Sequence, residues 1–127
     1  EGKTFLINAV SMGNPHCVIL ASSLNDELLQ FGKKICEHHL FPQKTNVEFV
    51  RVIDKNNIEI LVYERGTGET LACGTGASAS FYASYLHNYT DRHVKAKLKG
   101  GYLNLELANG EIFMTGKAEL NFEGEYF

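Results

Sequence analysis

GTGASASFYASYLHN, residues 74–88, is the segment from which the architecture of this chain can first be inferred. Its composition predicts a helix, yet small side chains cover most of the helical surface and no charge occurs before Asp91. A helix that lacks a polar face has no side to turn toward water and is therefore surrounded by protein. The segment predicts a central helix with a sheet wrapped around it.

The rest of the chain is dominated by the alternating pattern of β-strands. Strands are predicted at residues 4–7, 17–21, 46–53, 58–63, 94–98, 102–107, 111–115 and 118–127. Turn residues at 54–57 and 109–110 predict two hairpins, and residues 25–39 predict an amphipathic helix. We therefore expect an α+β fold in one domain, residues 1–127, in which an antiparallel, β-barrel-like sheet surrounds the central helix.

Composition and charge exclude several classes of function. The chain has 127 residues and a net charge of −3, without a basic stripe suited to a nucleic acid. No apolar run in the sequence is long enough to span a bilayer. Three cysteines and no export signal predict a cytoplasmic protein without disulfides. Because residue 1 is not methionine, we expect the chain to be part of a longer protein.

Cys73 lies where a glycine-rich loop, ERGTGETLAC at residues 64–73, meets the central helix. The unpaired N–H groups of a first helical turn stabilise a thiolate and lower its pKa below the usual value of about 8.5. The same groups bind carboxylates, while Gly74 and Gly76 permit close approach and Thr75 adds a hydroxyl. This combination suits proton transfer at a carbon next to a carboxylate. The alternative is that Cys73 is a small, buried hydrophobic residue.

The other cysteines and the glycine pattern support no cofactor site. Cys17 lies in an apolar strand and Cys36 on an apolar helix face, so both are expected in the core. Cys36 with His38 and His39 lacks the spacing of a zinc site. The loop also lacks the third glycine of a dinucleotide fingerprint and the Gly-Lys-Ser/Thr ending of a phosphate loop. We therefore expect neither a metal nor a nucleotide cofactor.

Four motifs resemble the diaminopimelate epimerase family, and they occur in the family's order. ERG followed by GET and ACGTGA, within residues 64–77, resembles the family's second signature. MGNPHCV at 12–18 and TNVEF at 45–49 resemble two further motifs. MTGKAE at 114–119 resembles the closing Thr-Gly-Pro-Ala, with Lys117 in place of proline. The resemblance covers the whole chain but only the second half of the family pattern.

The resemblance implies that the chain is the C-terminal half of a two-domain enzyme, with the active site between two similar halves. The implied reaction interconverts LL- and meso-diaminopimelate, for lysine and peptidoglycan-precursor biosynthesis, without pyridoxal phosphate or metal. One cysteine removes the α-proton and the other returns a proton to the opposite face. Since this chain lacks the Cys-Gly-Asn-Gly motif of the first half, we expect it to be nearly inactive alone.

The resemblance also implies a role for each motif residue. The implied catalytic residues are Cys73, Glu64 and His16, and the implied substrate-binding residues are Asn14, Asn46, Glu64, Arg65, Gly74 and Thr75. Gly74 and Thr75 would hold the reacting carboxylate, and the forked guanidinium of Arg65 would bind the distal one. The implied partners are diaminopimelate and the N-terminal half, with a homodimer also allowed, and neither a nucleic acid nor a membrane.

Other interpretations stay open at this point. Without the resemblance, Asn14 is a turn residue, Asn46 starts a strand, His16 is a surface residue, and Glu64 and Arg65 are an exposed pair. A proline racemase-like or phenazine-biosynthesis-like isomerase would share the architecture, although Arg65 favours a substrate with a second charged end. The non-enzymatic alternative is an amino-acid-binding domain in which Cys73 is structural.

Overall fold

The computed structural model describes residues 7–11, 15–25, 27–36, 46–64, 68–69 and 74–116. Their elements in chain order are β1 (Ile7–Ser11), β2 (Pro15–Leu20), α1 (Leu28–Cys36), β3 (Asn46–Asp54), β4 (Asn57–Glu64), β5 (Gly68–Glu69), α2 (Gly74–Leu86), β6 (His93–Leu98), β7 (Gly101–Ala108) and β8 (Glu111–Gly116). Both predicted helices are confirmed, as are the predicted strands from β2 to β8, apart from β5, which was not predicted. The strand predicted at 118–127 lies outside the described residues.

The first strand and the helix ends differ from the prediction. β1 is described over Ile7–Ser11 and so extends beyond the strand predicted at 4–7, of which residues 4–6 lie outside the described residues. It pairs with β2 from Ile7 opposite Ile19 onward. α1 begins at Leu28, whose N–H donates to the carbonyl of Asn25 at 3.1 Å. α2 ends at Leu86, and Asn88 has a φ of 64°, the left-handed conformation that commonly terminates a helix.

The sheet is mixed, whereas an antiparallel sheet was predicted. Its strands are ordered β1-β2-β3-β4-β6-β7-β8, with β5 paired to β4. Among these described strands, β2–β3 and β4–β6 are parallel pairs and the other pairs are antiparallel. Parallel neighbours need a long crossover connection, usually a helix. α1 lies between β2 and β3 in the chain, and α2 lies between β4 and β6, so each helix belongs to one crossover.

The central position predicted for α2 is confirmed. The helix contacts strands from both ends of the sheet order, β1, β2, β3 and β4 on one side and β7 and β8 on the other. Residues 76–81 are all buried, and they span more than one and a half turns, so protein covers every side of the helix there. The hydroxyls of Ser80 and Ser84 donate to the carbonyls of Gly76 and Ser80 at 2.7 and 2.8 Å, so their polarity is satisfied within the helix.

Side chains of β2 and β3 alternate between two apolar clusters. Val18 and Val50 belong to the larger cluster, which includes the buried residues of α2. Cys17 and Phe49 belong to the smaller cluster beneath α1, together with Cys36. The prediction that Cys17 and Cys36 are core residues is therefore confirmed. Gly32 of α1 allows the helix to approach β4, since a Cβ there would lie 3.0 Å from the Cβ of Tyr63.

Both predicted hairpins are confirmed. The carboxylate of Asp54 accepts hydrogen bonds from the backbone N–H of Asn56 and the side chain of Asn57, each at 2.8 Å, and these bonds lower its pKa. Asn109 and Gly110 both have positive φ, 54° and 78°, as a tight turn between twisted strands requires. In the part of the chain that is described, no helix is long and apolar enough to cross a membrane.

Candidate active site at the start of the central helix

Four predicted site residues lie in described elements that meet at one place. His16 is the second residue of β2 and Asn46 the first of β3, and the parallel register sets these two opposite each other. Gly74 and Thr75 are the first two residues of α2. The Nε2 atom of His16 lies 3.2 Å from the Thr75 hydroxyl oxygen, which joins the strand pair to the first helical turn.

His16 is buried, contrary to the surface position that its sequence context alone suggested. Its residue exposure is 1 %, and its Nδ1 atom lies 2.8 Å from the carboxylate oxygen Oε2 of Glu48. Both side chains are fully inaccessible to solvent. A hydrogen-bonded histidine and carboxylate therefore occupy the sheet interior beside the helix start.

Glu48 was not identified as a functional residue from the sequence. It lies two residues after Asn46, so strand alternation places both side chains on one face of β3. Fully buried glutamates are rare unless they are paired. An acidic residue directly between the apolar residues Val47 and Phe49 was the signal that could have drawn attention to it.

The start of α2 offers donors to a negatively charged group. The first N–H groups of a helix have no partner within the helix and carry partial positive charge. Gly74 and Thr75 are half-buried, whereas residues 76–81, which follow them, are buried. An anion could therefore reach the first turn, with the Thr75 hydroxyl and the His16 ring close by.

The other predicted site residues lie wholly or partly outside the described residues. Asn14, Arg65 and Cys73 lie outside the described residues, and only the backbone of Glu64 is described, as the last residue of β4. Their roles stay predictions. Within the described ranges, no three His, Cys, Asp or Glu side chains form a group that could hold a metal ion.

Cys17 has an unreactive thiol. Burial, and secondarily the negative charge of Glu48, raises the pKa of Cys17 to about 12. The thiolate, which is the nucleophilic form, is therefore strongly disfavoured near neutral pH. This environment agrees with a core role for Cys17.

Alkylation is expected to distinguish the three cysteines. At pH 7.5 we expect iodoacetamide to modify Cys73 at least about tenfold faster than Cys17 or Cys36, because the first is predicted at a helix start and the others are buried. Peptide mass spectrometry over a time course measures the three rates. In guanidinium chloride the rates should converge. Equal rates in the folded protein would contradict the role assigned to Cys73.

Comparison with known proteins identifies relatives along nearly the entire chain. The sequence profile of a family described as "Diaminopimelate epimerase" matches residues 8–121. A diaminopimelate epimerase from Carboxydothermus hydrogenoformans is 48% identical over 128 residues, covering 99% of this chain and 47% of that protein. One from Desulfovibrio desulfuricans is 46% identical, covering 100% of this chain and 45% of that protein. The chain thus spans about half the length of these curated relatives.

Solved structures show the same fold at lower sequence identity. A phenazine biosynthesis protein of the PhzF family from Bacillus anthracis superposes with a TM-score of 0.63 at 22% identity, covering 87% of this chain and 38% of that one. A PhzF-family protein from Enterococcus faecalis gives 0.63 at 13% identity, covering 85% and 41%. At such identities the likeness concerns the fold alone.

Proposed function

Because the chain belongs to the diaminopimelate epimerase family, we propose that it supplies one half of an enzyme that interconverts LL- and meso-diaminopimelate. The relatives are about twice as long as this chain. We assign the chain to the C-terminal half, because its motifs resemble the second half of the family pattern. In this proposal the N-terminal half is its partner, and the enzyme serves lysine and peptidoglycan-precursor biosynthesis in the cytoplasm.

The proposed chemistry uses two cysteines and no cofactor. The thiolate of one cysteine takes the α-proton of the substrate, and the electron pair of the broken C–H bond passes into the adjoining carboxylate. The thiol of the other cysteine then returns a proton to the opposite face of the same carbon, which inverts it. Cys73 is one of these residues, and the N-terminal half provides the other.

The observation that carries this proposal is the polar cluster at the start of α2. His16 contacts Glu48 at 2.8 Å and Thr75 at 3.2 Å. This cluster lies at the first turn of α2, and the helix residues that follow, 76–81, are buried. Cys73 immediately precedes that turn in the chain. Helix N–H groups directed at the reacting carboxylate stabilise the negative charge that develops in the transition state.

The other predicted residues act at the ends of the substrate. Gly74 and Thr75 hold the reacting carboxylate at the helix start. Asn14, Asn46 and Arg65 bind the distal end, where the guanidinium forms two parallel hydrogen bonds with a carboxylate. Glu64 pairs with a substrate ammonium or, like His16, adjusts the protonation of a cysteine.

The isolated 127-residue chain is expected to be nearly inactive. With one of two proton-transfer groups and half of the cleft missing, LL to meso conversion should be at least about 10³-fold slower than in a full-length relative. Solvent deuterium incorporation at the α-carbon, followed by mass spectrometry, measures proton exchange in the same samples. Joining the chain to the N-terminal half of a full-length relative, hereafter the two-half enzyme, should restore turnover. Full activity of the isolated chain would refute the half-site proposal.

A further inference from the structure

Apolar packing does not explain why the carboxylate of Glu48 is fully buried. Its strand neighbours Val47, Phe49 and Val50 are all at 0 % exposure, and Val18 of the adjoining strand is too. A carboxylate loses favourable hydration in such surroundings and is retained only where a specific partner stabilises it. One partner is the Nδ1 atom of His16, at 2.8 Å.

We propose that Glu48 is a positioning residue that orients the imidazole of His16 toward the start of α2. The contact to Glu48 involves Nδ1, and the opposite ring nitrogen, Nε2, faces the Thr75 hydroxyl at 3.2 Å. The ring is thereby held at both nitrogens, by a strand on one side and by the helix on the other. As to the reaction, this inference rests on the proposed function, in which Thr75 contacts the reacting carboxylate.

The chemistry of the pair determines which nitrogen carries hydrogen. An ionised carboxylate only accepts hydrogen bonds, so Nδ1 of His16 must donate to Glu48. In a neutral ring Nε2 then has a free electron pair, and the Thr75 hydroxyl donates to it. In a charged ring Nε2 donates instead, and the Thr75 hydroxyl oxygen accepts. With Nδ1 engaged by Glu48, Nε2 is the ring nitrogen that meets the Thr75 hydroxyl at the helix start.

Nuclear magnetic resonance on the 127-residue chain tests this assignment without any assay of turnover. Protein labelled with ¹⁵N-histidine contains five histidines, and the His16 signals are those absent from His16→Gln. We expect hydrogen on Nδ1 of His16, in a downfield proton signal that exchanges slowly with water. Hydrogen found predominantly on Nε2 of a neutral ring would overturn the proposal, because Glu48 would then be the donor.

Glu48→Gln tests the contribution of the charge, since the amide keeps the size and an acceptor oxygen. Charge-assisted hydrogen bonds are stronger than neutral ones, so the Nδ1 proton should move upfield and exchange at least about tenfold faster. Glu59→Gln is the matched control, because Glu59 is a partly exposed glutamate that pairs with Arg51 on the neighbouring strand. It should leave the His16 signals unchanged. Unchanged signals in Glu48→Gln would contradict the proposal. If the glutamine variant fails to fold, Glu48→Asp tests the contact by distance instead, because it keeps the charge but shortens the side chain by one methylene. The Nδ1 proton of His16 should again move upfield, and an unchanged signal would contradict the proposal.

Kinetics of the two-half enzyme separate this inference from the proposed function. Glu48→Gln should lower kcat at least about tenfold and change KM less than about threefold, because an orienting contact matters most in the transition state. Glu59→Gln should retain kcat. If the unmodified two-half enzyme does not epimerise diaminopimelate, the proposed function fails while the resonance result still decides the role of Glu48. An active enzyme that tolerates Glu48→Gln would refute the positioning role alone.

Discussion

Replacing Cys73 by alanine is expected to lower LL to meso conversion by the two-half enzyme by about 10³-fold or more. Alanine has no proton to give or accept, and a single remaining cysteine cannot serve both faces of the α-carbon. General acid–base groups contribute rate factors of about 10² to 10⁴ each. A coupled assay that consumes meso-diaminopimelate measures the rate, and circular dichroism confirms that the variant is folded.

Cys36→Ala is the matched control for this prediction, because Cys36 is the buried last residue of α1 and belongs to the smaller apolar cluster. It should keep the rate within about threefold. Isothermal titration with diaminopimelate addresses the non-enzymatic alternative: binding that survives in Cys73→Ala while turnover is lost supports a catalytic role. If Cys73→Ala turns over as fast as Cys36→Ala, the proposed mechanism is wrong.

Replacing Phe81 by alanine is expected to lower the free energy of unfolding by about 3–5 kcal/mol. Phe81 is the largest fully buried side chain of α2, with 1 % exposure, and it belongs to the larger apolar cluster. Its removal leaves a cavity, because the surrounding structure relaxes only partly around a truncated core side chain. Urea titration followed by far-ultraviolet circular dichroism measures the change.

Tyr82→Ala is the control on the same helix. The neighbouring residue Tyr82 is 37 % exposed, so its truncation should cost less than about 1 kcal/mol. The pair compares two aromatic truncations at adjacent positions that differ in burial. Similar losses in both variants would show that α2 is not enclosed in solution as it is in the structure.

The central helix could be predicted because its composition constrains its surroundings. A segment with small residues around the girth, such as Ala77, Ser78 and Ala79, is suited only to an enclosed position. Turn residues likewise predicted the two hairpins, and strand alternation predicted most strand positions. The two-residue strand β5 was missed, since Gly68 and Glu69 show no strand pattern of their own and pair only because β4 lies beside them.

The sheet's mixed character could not be read from periodicity. Alternation describes which side of a strand faces the core, and it contains no information about the neighbouring strand or its direction. α2 separates β4 from β6 in the chain, yet these two strands pair in parallel, with Asn57 opposite Lys95. This parallel pairing arises only when the helix packs over the sheet. The two parallel pairs among the described strands therefore depend on tertiary packing, and for this reason the prediction of an antiparallel sheet missed them.

The helices, most strands and the motifs that indicate the family thus follow from the sequence alone, because these features depend on residues that are neighbours in the chain. Glu48 and Glu59 show what the sequence leaves open, because each is an acidic residue between two apolar neighbours in a strand. Glu59 lies partly exposed beside Arg51 at 2.6 Å, and Glu48 lies fully buried beside His16 at 2.8 Å. This difference arises in the tertiary structure. β2 pairs with β3 and α2 packs against both strands, which brings residues distant in the chain together and gives the Glu48 carboxylate a buried partner.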